Sequence, residues 1–498
     1  MTTSNFQLRK DQLADVERFL SDDGQDGAGL NASQVGAGKT AVAVEAARRA
    51  AYSGVKMIIA PLNTRDGWER TIRLLSDEPM RWLRKDDPSI VDCINGRQGW
   101  YFGGWEFMRQ YGLDEVPIDF LILDEVHRAQ NRKSASFVMA RDAARGVQRR
   151  GGMRMALSAT PYGNRPSGAF GVSHILWPHR KDLAFTHYWP FVDRYMGKHI
   201  NQWSGMAEAN DREYTPGEIA SVMPLYWRHE QGFPCCINHP NGLQEDLPER
   251  VIHRVKVSLS ASQRKLYDEL QANMFAWIED NDYPVEAGFP VVMATRLRQI
   301  ALAVPRTEMA KRIKVDAQTG ERSTVDYVTL KYDPETKGSK LDAVQDIVSD
   351  FQPGERCVIF THSAGIITPI LHRLSKMHIE AARWDGSVPQ AERQRTKDSF
   401  IQGSPQNGGN GEGVQVIVAQ IGAIGEGVDG LQWACSNEIW YSMDSNNLLN
   451  IQAAGRVRRD GQKTVTNAWS LEAEDTIEQD QLASLDRQTR IMTTALRG

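Results

Sequence analysis

Cysteines, long apolar runs and any excess of positive charge are scarce or missing in this sequence of 498 residues. The five cysteines are scattered and include no C-x-x-C pair, which argues against a disulfide framework and favours a reducing compartment. No apolar run reaches the roughly 18 residues that a membrane span needs, and the N-terminal residues lack the apolar stretch of a secretory signal. These absences predict an intracellular protein that does not cross a membrane.

The charge balance excludes the simplest kind of nucleic-acid binder. Lysine and arginine total 59 against 63 acidic residues, a formal net charge of −4, so the chain cannot bind polyanions through bulk positive charge. Backbone amides and a few placed arginines can still hold phosphates transiently. The length predicts two large domains or three smaller ones, at about 150 residues per domain.

One cluster of metal-ligand residue types occurs, and it comprises His229, Cys235, Cys236 and His239. A zinc ion would require all four side chains to converge, and adjacent cysteines are awkward ligands for one ion. An ordinary loop with buried thiols is therefore the favoured interpretation, and a metal site is the alternative.

Short apolar strand patterns alternate with helical segments rich in Ala, Arg and Glu, and this alternation occurs twice. Near-continuous apolar runs are typical of parallel strands buried on both faces, so the pattern predicts the α/β class with mostly parallel sheets. The expected strands are 55–60, 118–123, 153–157, 357–360, 414–419, 438–441 and 465–471. Aromatic-rich helical segments are expected from 165 to about 330, with a polar loop at 317–323 and a flexible glycine-rich loop at 403–413.

A glycine-rich segment, Ser33-Gln-Val-Gly-Ala-Gly-Lys-Thr40, precedes an alanine-rich helix. Gly36 and Gly38 let backbone amides approach a phosphate closely, and the helix N-terminus adds a positive dipole end. In such a loop Lys39 meets the β- and γ-phosphates, while the Thr40 hydroxyl holds Mg²⁺. Ser33 stands where the strict pattern has glycine, so a plain glycine turn before a helix is the alternative for this segment taken alone.

Two adjacent acids, Asp124 and Glu125, follow an apolar strand. Carboxylates at the carboxyl end of a parallel strand face the crevice in which nucleotides bind. Asp124 is the expected holder of Mg²⁺ through water, and Glu125 is the expected base that orients and polarises the attacking water. A solvated acidic turn is the alternative, and the phosphate loop upstream argues against it.

Far down the chain, segment 452–462 carries Arg456 and Arg459, whose spacing places them on one face of a predicted helix. The planar guanidinium suits the developing charge of a phosphoryl group in transfer. An exposed basic helix is the alternative.

The order of these segments resembles superfamily-two helicase-like ATPases, and most closely the Swi/Snf-type branch of double-stranded-DNA translocases. The resemblance covers nearly the whole chain and rests on the collinear order of its motifs. Besides the phosphate loop, they are Leu8-Arg-Lys-Asp-Gln-Leu13, 61–69, Gly104-Trp-Glu106, Asp124-Glu-Val-His-Arg-Ala-Gln-Asn131, Ser158-Ala-Thr-Pro-Tyr-Gly-Asn164, Leu247-Pro-Glu-Arg250, 255–267, Leu297-Arg-Gln-Ile300, Gly338-Ser-Lys-Leu341, Trp384-Asp-Gly-Ser387, 422–429 and 452–462.

The resemblance implies two tandem RecA-like lobes with parallel sheets, plus helical insertions near the lobe junction. Residues 1–250 would form lobe one, with a helical insertion over about 165–250. Residues 251–498 would supply an interlobe linker and helical protrusion to about 335, followed by lobe two with the arginine motif.

The resemblance also implies ATP and Mg²⁺ as cofactors, with Lys39, Glu125, Arg456 and Arg459 as catalytic residues. In the family the glutamine of the first motif, here Gln12, reads the adenine edge. The full set of implied nucleotide-contacting positions is Arg9, Gln12, Gly36, Gly38, Lys39, Thr40, Asp124, Gly427, Asp429 and Gln452, with Thr40 and Asp124 also holding the metal.

Three further residues would couple the nucleotide state to nucleic acid. His127 is a candidate relay between Glu125 and Gln452, and a capped histidine at a strand end is the alternative. Ser158 and Thr160 would sense the acidic pair.

The implied polymer is double-stranded DNA, bound through phosphates across both lobes without base reading. Trp189 and Trp203 could stack on bases, although a place in the core is favoured. A basic run could contact phosphates, although a solvated helix face is favoured; this run comprises Arg141, Arg145, Arg149 and Arg150.

The principal hypothesis is an ATP-dependent translocase that moves along duplex DNA and remodels DNA or protein–DNA structures. A strand-separating helicase on DNA or RNA is the alternative with the same chemistry. A nucleotide-gated nucleic-acid-binding module with little turnover is the alternative from another class. The compact form resembles stand-alone motors of bacteria or bacteriophages, which implies a monomer in the cytoplasm of a bacterial cell or infected host, without a membrane partner.

Overall fold

The computed structural model describes residues 7–21, 27–51, 53–163, 165–180, 187–200, 206–214, 219, 223–228, 248–280, 289–315, 322–425, 428–459 and 461–496. The chain divides into two units. The first unit comprises residues 1–247, 426–429 and 487–498, and the second comprises 248–425 and 430–486.

The first unit is built on a sheet of seven strands in the order β3-β4-β2-β5-β6-β1-β9, with every neighbouring pair parallel. Every residue of β1, β2 and β4 is buried, because the sheet is covered on both faces. The strands are β1 (Ala28–Asn31), β2 (Val55–Ala60), β3 (Met80–Trp82), β4 (Gly99–Gly104), β5 (Phe120–Asp124), β6 (Met153–Leu157) and β9 (Tyr226–Trp227), and a separate antiparallel hairpin contains β7 (Met196–Ile200) and β8 (Ala207–Tyr214).

Helices pack on this sheet through small or amphipathic faces. The second helix buries all of residues 41–47, of which four are alanines, so its backbone can approach the strands closely. The helices are α1 (Lys10–Leu20), α2 (Lys39–Ala50), α3 (Arg65–Leu75), α4 (Ser89–Ile94), α5 (Trp105–Tyr111), α6 (Ala135–Arg149), α7 (Ala169–Leu176) and α8 (Tyr188–Tyr195).

The second unit has a six-stranded sheet in the order β10-β17-β16-β13-β15-β14, again with every pair parallel. Its strands are β10 (Arg250–Val257), β13 (Cys357–Thr361), β14 (Ala381–Trp384), β15 (Val416–Gln420), β16 (Asn437–Trp440) and β17 (Thr466–Ala473), beside an antiparallel pair of β11 (Arg306–Val315) and β12 (Arg322–Lys331). The helices from residue 261 onward are α9 (Ala261–Asp280), α10 (Phe289–Leu302), α11 (Ser339–Ser349), α12 (Ile367–Lys376), α13 (Gln390–Gln402), α14 (Ile421–Ile424), α15 (Leu431–Ala434), α16 (Asn447–Ala454) and α17 (Ile477–Leu496). In the part of the chain described above, no helix is long and apolar enough to span a bilayer.

The predicted α/β class is confirmed: the fold consists of two RecA-like lobes, each with a parallel sheet. β2 and β6 have the predicted bounds, and the other predicted strands begin or end within two residues of theirs. Apolar runs bounded by turn residues located these strands because strands buried on both faces carry few polar residues.

The stretch from 165 to about 330, expected to be helical, also contains strands, so that prediction was incomplete. It includes the hairpin β7–β8, the sheet strand β9 and the ten-residue pair β11–β12. Charged and polar residues interrupt both strands of the last pair, so neither forms an apolar run. The predicted polar loop at 317–323 falls between them, largely outside the described residues.

The glycine-rich loop 403–413 is tied to the second unit, and the expectation of a flexible loop is wrong. The Ser404 hydroxyl donates to the Ala434 carbonyl at 2.6 Å, and the Gln406 amide donates to Gln462 Oε1 at 3.0 Å. A Cβ on Gly409 would lie 2.2 Å from the Gln402 carbonyl oxygen, so close packing requires this glycine. Composition measures the freedom of the unfolded backbone and carries no record of these anchors.

Lys340, near the start of α11, places a charge in the core of the second unit. Its side chain is 1% exposed, and its ammonium donates to the carbonyls of Tyr441 and Leu471 at 3.0 Å each and to the Glu478 carboxylate at 2.6 Å. These acceptors lie just after β16, within β17 and in the first turn of α17. One buried cation therefore joins α11 to two neighbouring strands and the following helix.

We expect Lys340→Met to lower the free energy of unfolding of the second unit by about 3 to 5 kcal/mol, because it leaves Glu478 as an uncompensated buried charge. Urea denaturation of the full chain measures this loss. The matched control is Lys376→Met, which removes an exposed lysine paired with Glu335 and should change stability by less than about 1 kcal/mol. Equal midpoints for the two variants would contradict the assigned role of Lys340.

Candidate active site

Three functional segments of the first unit begin at one edge of its sheet. β1, β6 and β5 are neighbours, and in their parallel register Asn31 lies beside Leu157, which lies beside Asp124. The phosphate loop follows Asn31, the Ser158-Ala-Thr160 segment follows Leu157, and Glu125 follows Asp124. Parallel pairing therefore brings together three segments that are spread over about 125 residues of the sequence.

Lys39 is held within the phosphate loop. Its ammonium donates to the carbonyl oxygens of Ser33 and Gln34 at 2.7 and 2.9 Å, while the Ser33 amide donates to Asn31 Oδ1 at 3.1 Å. Lys39 is also the first residue of α2, so its charge adds to the positive end of the helix dipole. Together they form an anion-binding corner.

The glycines of this loop adopt conformations that favour glycine. The φ angle is 85° at Gly36 and 80° at Gly38, and a Cβ on Gly38 would lie 2.2 Å from Gln12 Nε2. Arg9 Nη2 and Gln12 Nε2 donate to the Ala37 carbonyl at 2.9 and 3.5 Å. The N-terminal motif thus packs against the phosphate loop, and adenine reading by Gln12 stays a prediction.

Asp124 is fixed by two tryptophans. Trp68 Nε1 donates to Asp124 Oδ2 at 3.1 Å, and Trp105 Nε1 donates to the Asp124 carbonyl at 3.0 Å. Burial, followed by the adjacent charge of Glu125, raises the pKa of Asp124 to about 7, against the opposing effects of Trp68 and Lys39. Both tryptophans lie within motifs identified in the sequence, but no role was predicted for them. A tryptophan that donates a single hydrogen bond has no characteristic spacing in a sequence.

The donor set beside the phosphate loop suits Mg²⁺. The Thr40 hydroxyl and the Asp124 carboxylate are hard oxygen ligands of the kind that Mg²⁺ prefers. Burial and the adjacent charge of Glu125 raise the pKa of Asp124, and a nearby cation would offset both effects. The residue types present therefore fit Mg²⁺, and the roles of Thr40 and Asp124 as its holders stay a prediction.

Glu125 forms a small polar cluster with residues of the coupling set. The Ser158 hydroxyl donates to Glu125 Oε2 at 3.3 Å, and His127 Nδ1 lies 3.1 Å from the same oxygen and 3.2 Å from the Ser158 hydroxyl. The Thr160 amide donates to that hydroxyl at 3.2 Å. The backbone of Glu125 is left-handed, with φ of 52°, an uncommon conformation for a residue other than glycine and one found at functional sites.

Arg228 is a component of this site that the sequence did not reveal. Its side chain is buried just after β9, and Nη1 donates to the Ala32 carbonyl at 2.6 Å and to the Ala159 carbonyl at 2.7 Å. Ala32 precedes the phosphate loop, and Ala159 lies between Ser158 and Thr160. One guanidinium therefore links the phosphate loop to the segment that contacts Glu125.

In the second unit, Arg456 and Arg459 do not share a helix face, so that part of the prediction is wrong. The helix α16 ends at Ala454, and both arginines lie in the turns that follow its glycine cap. The Arg456 guanidinium donates from Nε to the Gly425 carbonyl at 3.1 Å. Gln452, one turn earlier, is buried within α16.

The remaining predicted residues have separate outcomes. Asp429, counted with the first unit, pairs with Arg70 at 3.4 Å. The basic run of α6 engages its own chain: Arg141 bonds to Asp142, Arg145 to His174, Arg149 to Glu115 and Arg150 to the Asp114 carbonyl. Six predicted residues lie outside the described part of the chain: Gly427, Trp203, His229, Cys235, Cys236 and His239. Within the described part, no group of three or more His, Cys, Asp or Glu side chains could hold a metal ion.

The comparisons with known proteins point to one family. A family model described as the helicase conserved C-terminal domain matches residues 339–461. The uncharacterized ATP-dependent helicase YqhH of Bacillus subtilis (strain 168) is 22% identical over 367 residues, which are 73% of this chain and 57% of the relative. The chain is therefore similar to ATP-dependent helicases over most of its length.

Two further proteins are similar to this chain. Human TATA-binding protein-associated factor 172 is 22% identical over 398 residues, covering 73% of this chain and 20% of the relative. A solved SWI2/SNF2 ATPase core of Sulfolobus solfataricus in complex with dsDNA is 18% identical, covers 100% of this chain and 96% of its own, and gives a TM-score of 0.40. The chain thus spans 57% and 20% of the lengths of the two curated relatives.

We expect Arg228→Met to lower the free energy of unfolding of the first unit by roughly 1 to 3 kcal/mol for each buried carbonyl left without a donor. The KM for ATP should rise as well, because the phosphate loop loses its link to Ala159. Thermal melting and ATPase titrations measure the two effects. Arg97→Met, which removes an exposed arginine of the same unit, is the control, and a melting curve of Arg228→Met that matches this control would refute the linkage.

Proposed function

We propose that this chain is a nucleic-acid-dependent ATPase of the Swi/Snf type that moves along duplex DNA and remodels DNA or protein–DNA structures. The observation that carries the proposal is the contact of Glu125 with Ser158 at the sheet edge where the Lys39 loop also begins. ATP hydrolysis needs a phosphate loop, an acid placed to act on water and a polar segment able to respond to that acid.

In the proposed reaction, the loop amides and Lys39 bind the β- and γ-phosphates. Lys39 exchanges its present carbonyl acceptors for phosphate oxygens, while Glu125 orients a water for attack on the γ-phosphorus and accepts its proton. His127 and Ser158 fix the Glu125 carboxylate through the contacts at 3.1 and 3.3 Å. Mg²⁺ held by Thr40 and Asp124 would supply neutralisation of phosphate charge.

Arg456 and Arg459 complete the proposed site when the two units close on ATP. Arg456 now donates to the Gly425 carbonyl, so its guanidinium would exchange that acceptor for an oxygen of the γ-phosphate. An arginine supplied in this way accelerates hydrolysis by roughly 10³ to 10⁵ in related chemistry. Closure promoted by nucleic acid would therefore make turnover depend on the polymer.

Duplex DNA is the proposed polymer because the motifs of the Swi/Snf branch accompany the general helicase motifs, including Leu247-Pro-Glu-Arg250 before β10. The net charge of −4 agrees with a motor that grips phosphates through amides and placed arginines and releases them in each cycle. Strand separation uses the same ATP chemistry, and only the response to different polymers distinguishes the two activities.

We expect Glu125→Gln to lower the polymer-stimulated ATPase rate by roughly 10² to 10⁴, because an amide cannot accept the proton of the attacking water. Phosphate release under saturating ATP measures the rate. The control is Glu115→Gln, an exposed acid of the same unit, which should keep the rate of the parent. If the parent chain shows no turnover above Glu125→Gln with any polymer, the motor proposal fails and the binding-module alternative takes its place.

We expect duplex DNA to stimulate the ATPase more than single-stranded DNA, forked DNA or RNA at equal nucleotide concentration and at stated salt, since phosphate binding is strongly salt dependent. The same chain should displace a triplex-forming strand from duplex DNA without unwinding a fork. Maximal stimulation by single strands or RNA, together with fork unwinding, would assign strand separation instead.

A further inference from the structure

A cavity of about 740 Å³ lies in the first unit outside the candidate active site. Two of its walls are the segments that follow Glu125 and Thr160 along the chain, and the others are the start of α8 and the start of β8. Its lining residues include Gln130, Arg132, Lys133, Arg165, Tyr188 and Trp189. A volume of this size lies within the range of sites that hold small organic ligands.

The charges at this cavity favour an anion. Arg132, Lys133 and Arg165 line it, and within the described parts of the chain none of the three forms an ion pair with a carboxylate. Glu208 is the acid among the lining residues that the structure describes. Three cations against one acid give the cavity a net positive charge, in contrast to the chain as a whole.

The aromatic side chains add surfaces that suit a planar ring. Tyr188 and Trp189 are both partly exposed and meet at 64°, with ring centroids 5.1 Å apart. The Arg132 guanidinium lies 4.3 Å from the centre of the Tyr188 ring, and the Lys198 ammonium lies 5.2 Å from that of Trp189. Aromatic rings interleaved with cations are typical of surfaces that bind unpaired nucleotides.

The wall of the cavity that follows Glu125 along the chain is built around the side chain of Gln130. A Cβ on Gly163 would lie 2.2 Å from Gln130 Nε2, and a Cβ on Gly168 would lie 2.6 Å from Gln130 Oε1, so both glycines make room for this amide. Gln130 Oε1 is buried and accepts no hydrogen bond from the described residues. Close packing therefore fixes Gln130 in the wall of the cavity.

We propose that this cavity binds an unpaired nucleotide of a single nucleic-acid strand. The base packs against Tyr188 and Trp189, while the flanking phosphates contact Arg132, Lys133 and Arg165. A duplex is excluded as the occupant because its paired bases expose no faces for stacking. The inference rests on the proposed function only in taking nucleic acid as the polymer, and it is independent of ATP turnover.

The location of the cavity links it to the active site. Gln130 follows the short turn Val126–Ala129 that starts from Glu125, and Gly163 lies five residues after Ser158. A strand in the cavity therefore contacts segments attached to both members of the Glu125–Ser158 contact. Such a strand would report an opened or damaged duplex to the residues that carry hydrolysis.

The test measures binding of a fluorescent twelve-nucleotide thymidine strand by anisotropy, with the full chain and without ATP. The double variant Arg132→Ala/Lys133→Ala should weaken binding of this strand at least tenfold, and it should weaken binding of a duplex less than threefold. The control, Lys85→Ala/Arg97→Ala, removes two exposed cations of the same unit and should weaken both less than twofold. Melting temperatures establish that each variant is folded.

A second measurement locates the strand directly. Irradiation of the chain with a strand containing 5-iododeoxyuridine should crosslink the peptide that carries Tyr188 and Trp189, and Arg132→Ala/Lys133→Ala should reduce the yield in proportion to binding. Crosslinks confined to other peptides, equal losses in the control, or equal losses for duplex and single strand would each overturn the inference. If the chain hydrolyses ATP on duplex DNA but does not form this crosslink, only the cavity inference fails. If the chain forms the crosslink but does not hydrolyse ATP, only the proposed function fails.

Discussion

Parallel hydrogen bonding among β1, β6 and β5 is the constraint on which the candidate site depends. Its register sets Asn31, Leu157 and Asp124 side by side, so the three segments that follow them start at the same level of one sheet edge. The contact of Glu125 with Ser158 is a consequence of that alignment. A slip of one residue in any of the three strands would turn its terminal side chain to the opposite face.

Cations of both units use backbone carbonyls as acceptors. Lys39 and Arg456 bond to carbonyls of loops that, in the proposed function, adjoin the phosphates of ATP. Arg228 bonds to carbonyls that lie just after β1 and β6, and Lys340 bonds to carbonyls within β17 and just after β16. A carbonyl holds a cation more weakly than a carboxylate does, so the first two can pass to phosphate oxygens at a small cost, and the other two keep the framework in place meanwhile.

Apolar runs predicted several of the parallel strands, closely spaced glycines predicted the phosphate loop, and two adjacent acids after a strand predicted the acidic pair. Each of these is a local pattern with one dominant physical cause. Features that arise from distant contacts were not predictable. Arg228 lies about 70 residues from Ala159 and nearly 200 from Ala32 along the chain, and no spacing announces that it bonds to both. The loop 403–413 and the turns carrying Arg456 failed for the same reason, since side-chain anchors and a glycine cap overrode composition and periodicity.

The left-handed backbone at Glu125 sets stability against activity. An acid at φ of 52° costs of order 1 kcal/mol or more that a glycine would not incur, and the surrounding contacts hold it there. Glycine would relieve the backbone strain at this position, but it would also remove the carboxylate that the proposed chemistry needs. Glycine substitutions at Glu125 that persist in a population would mark chains retained for binding nucleic acid after their motor function was lost.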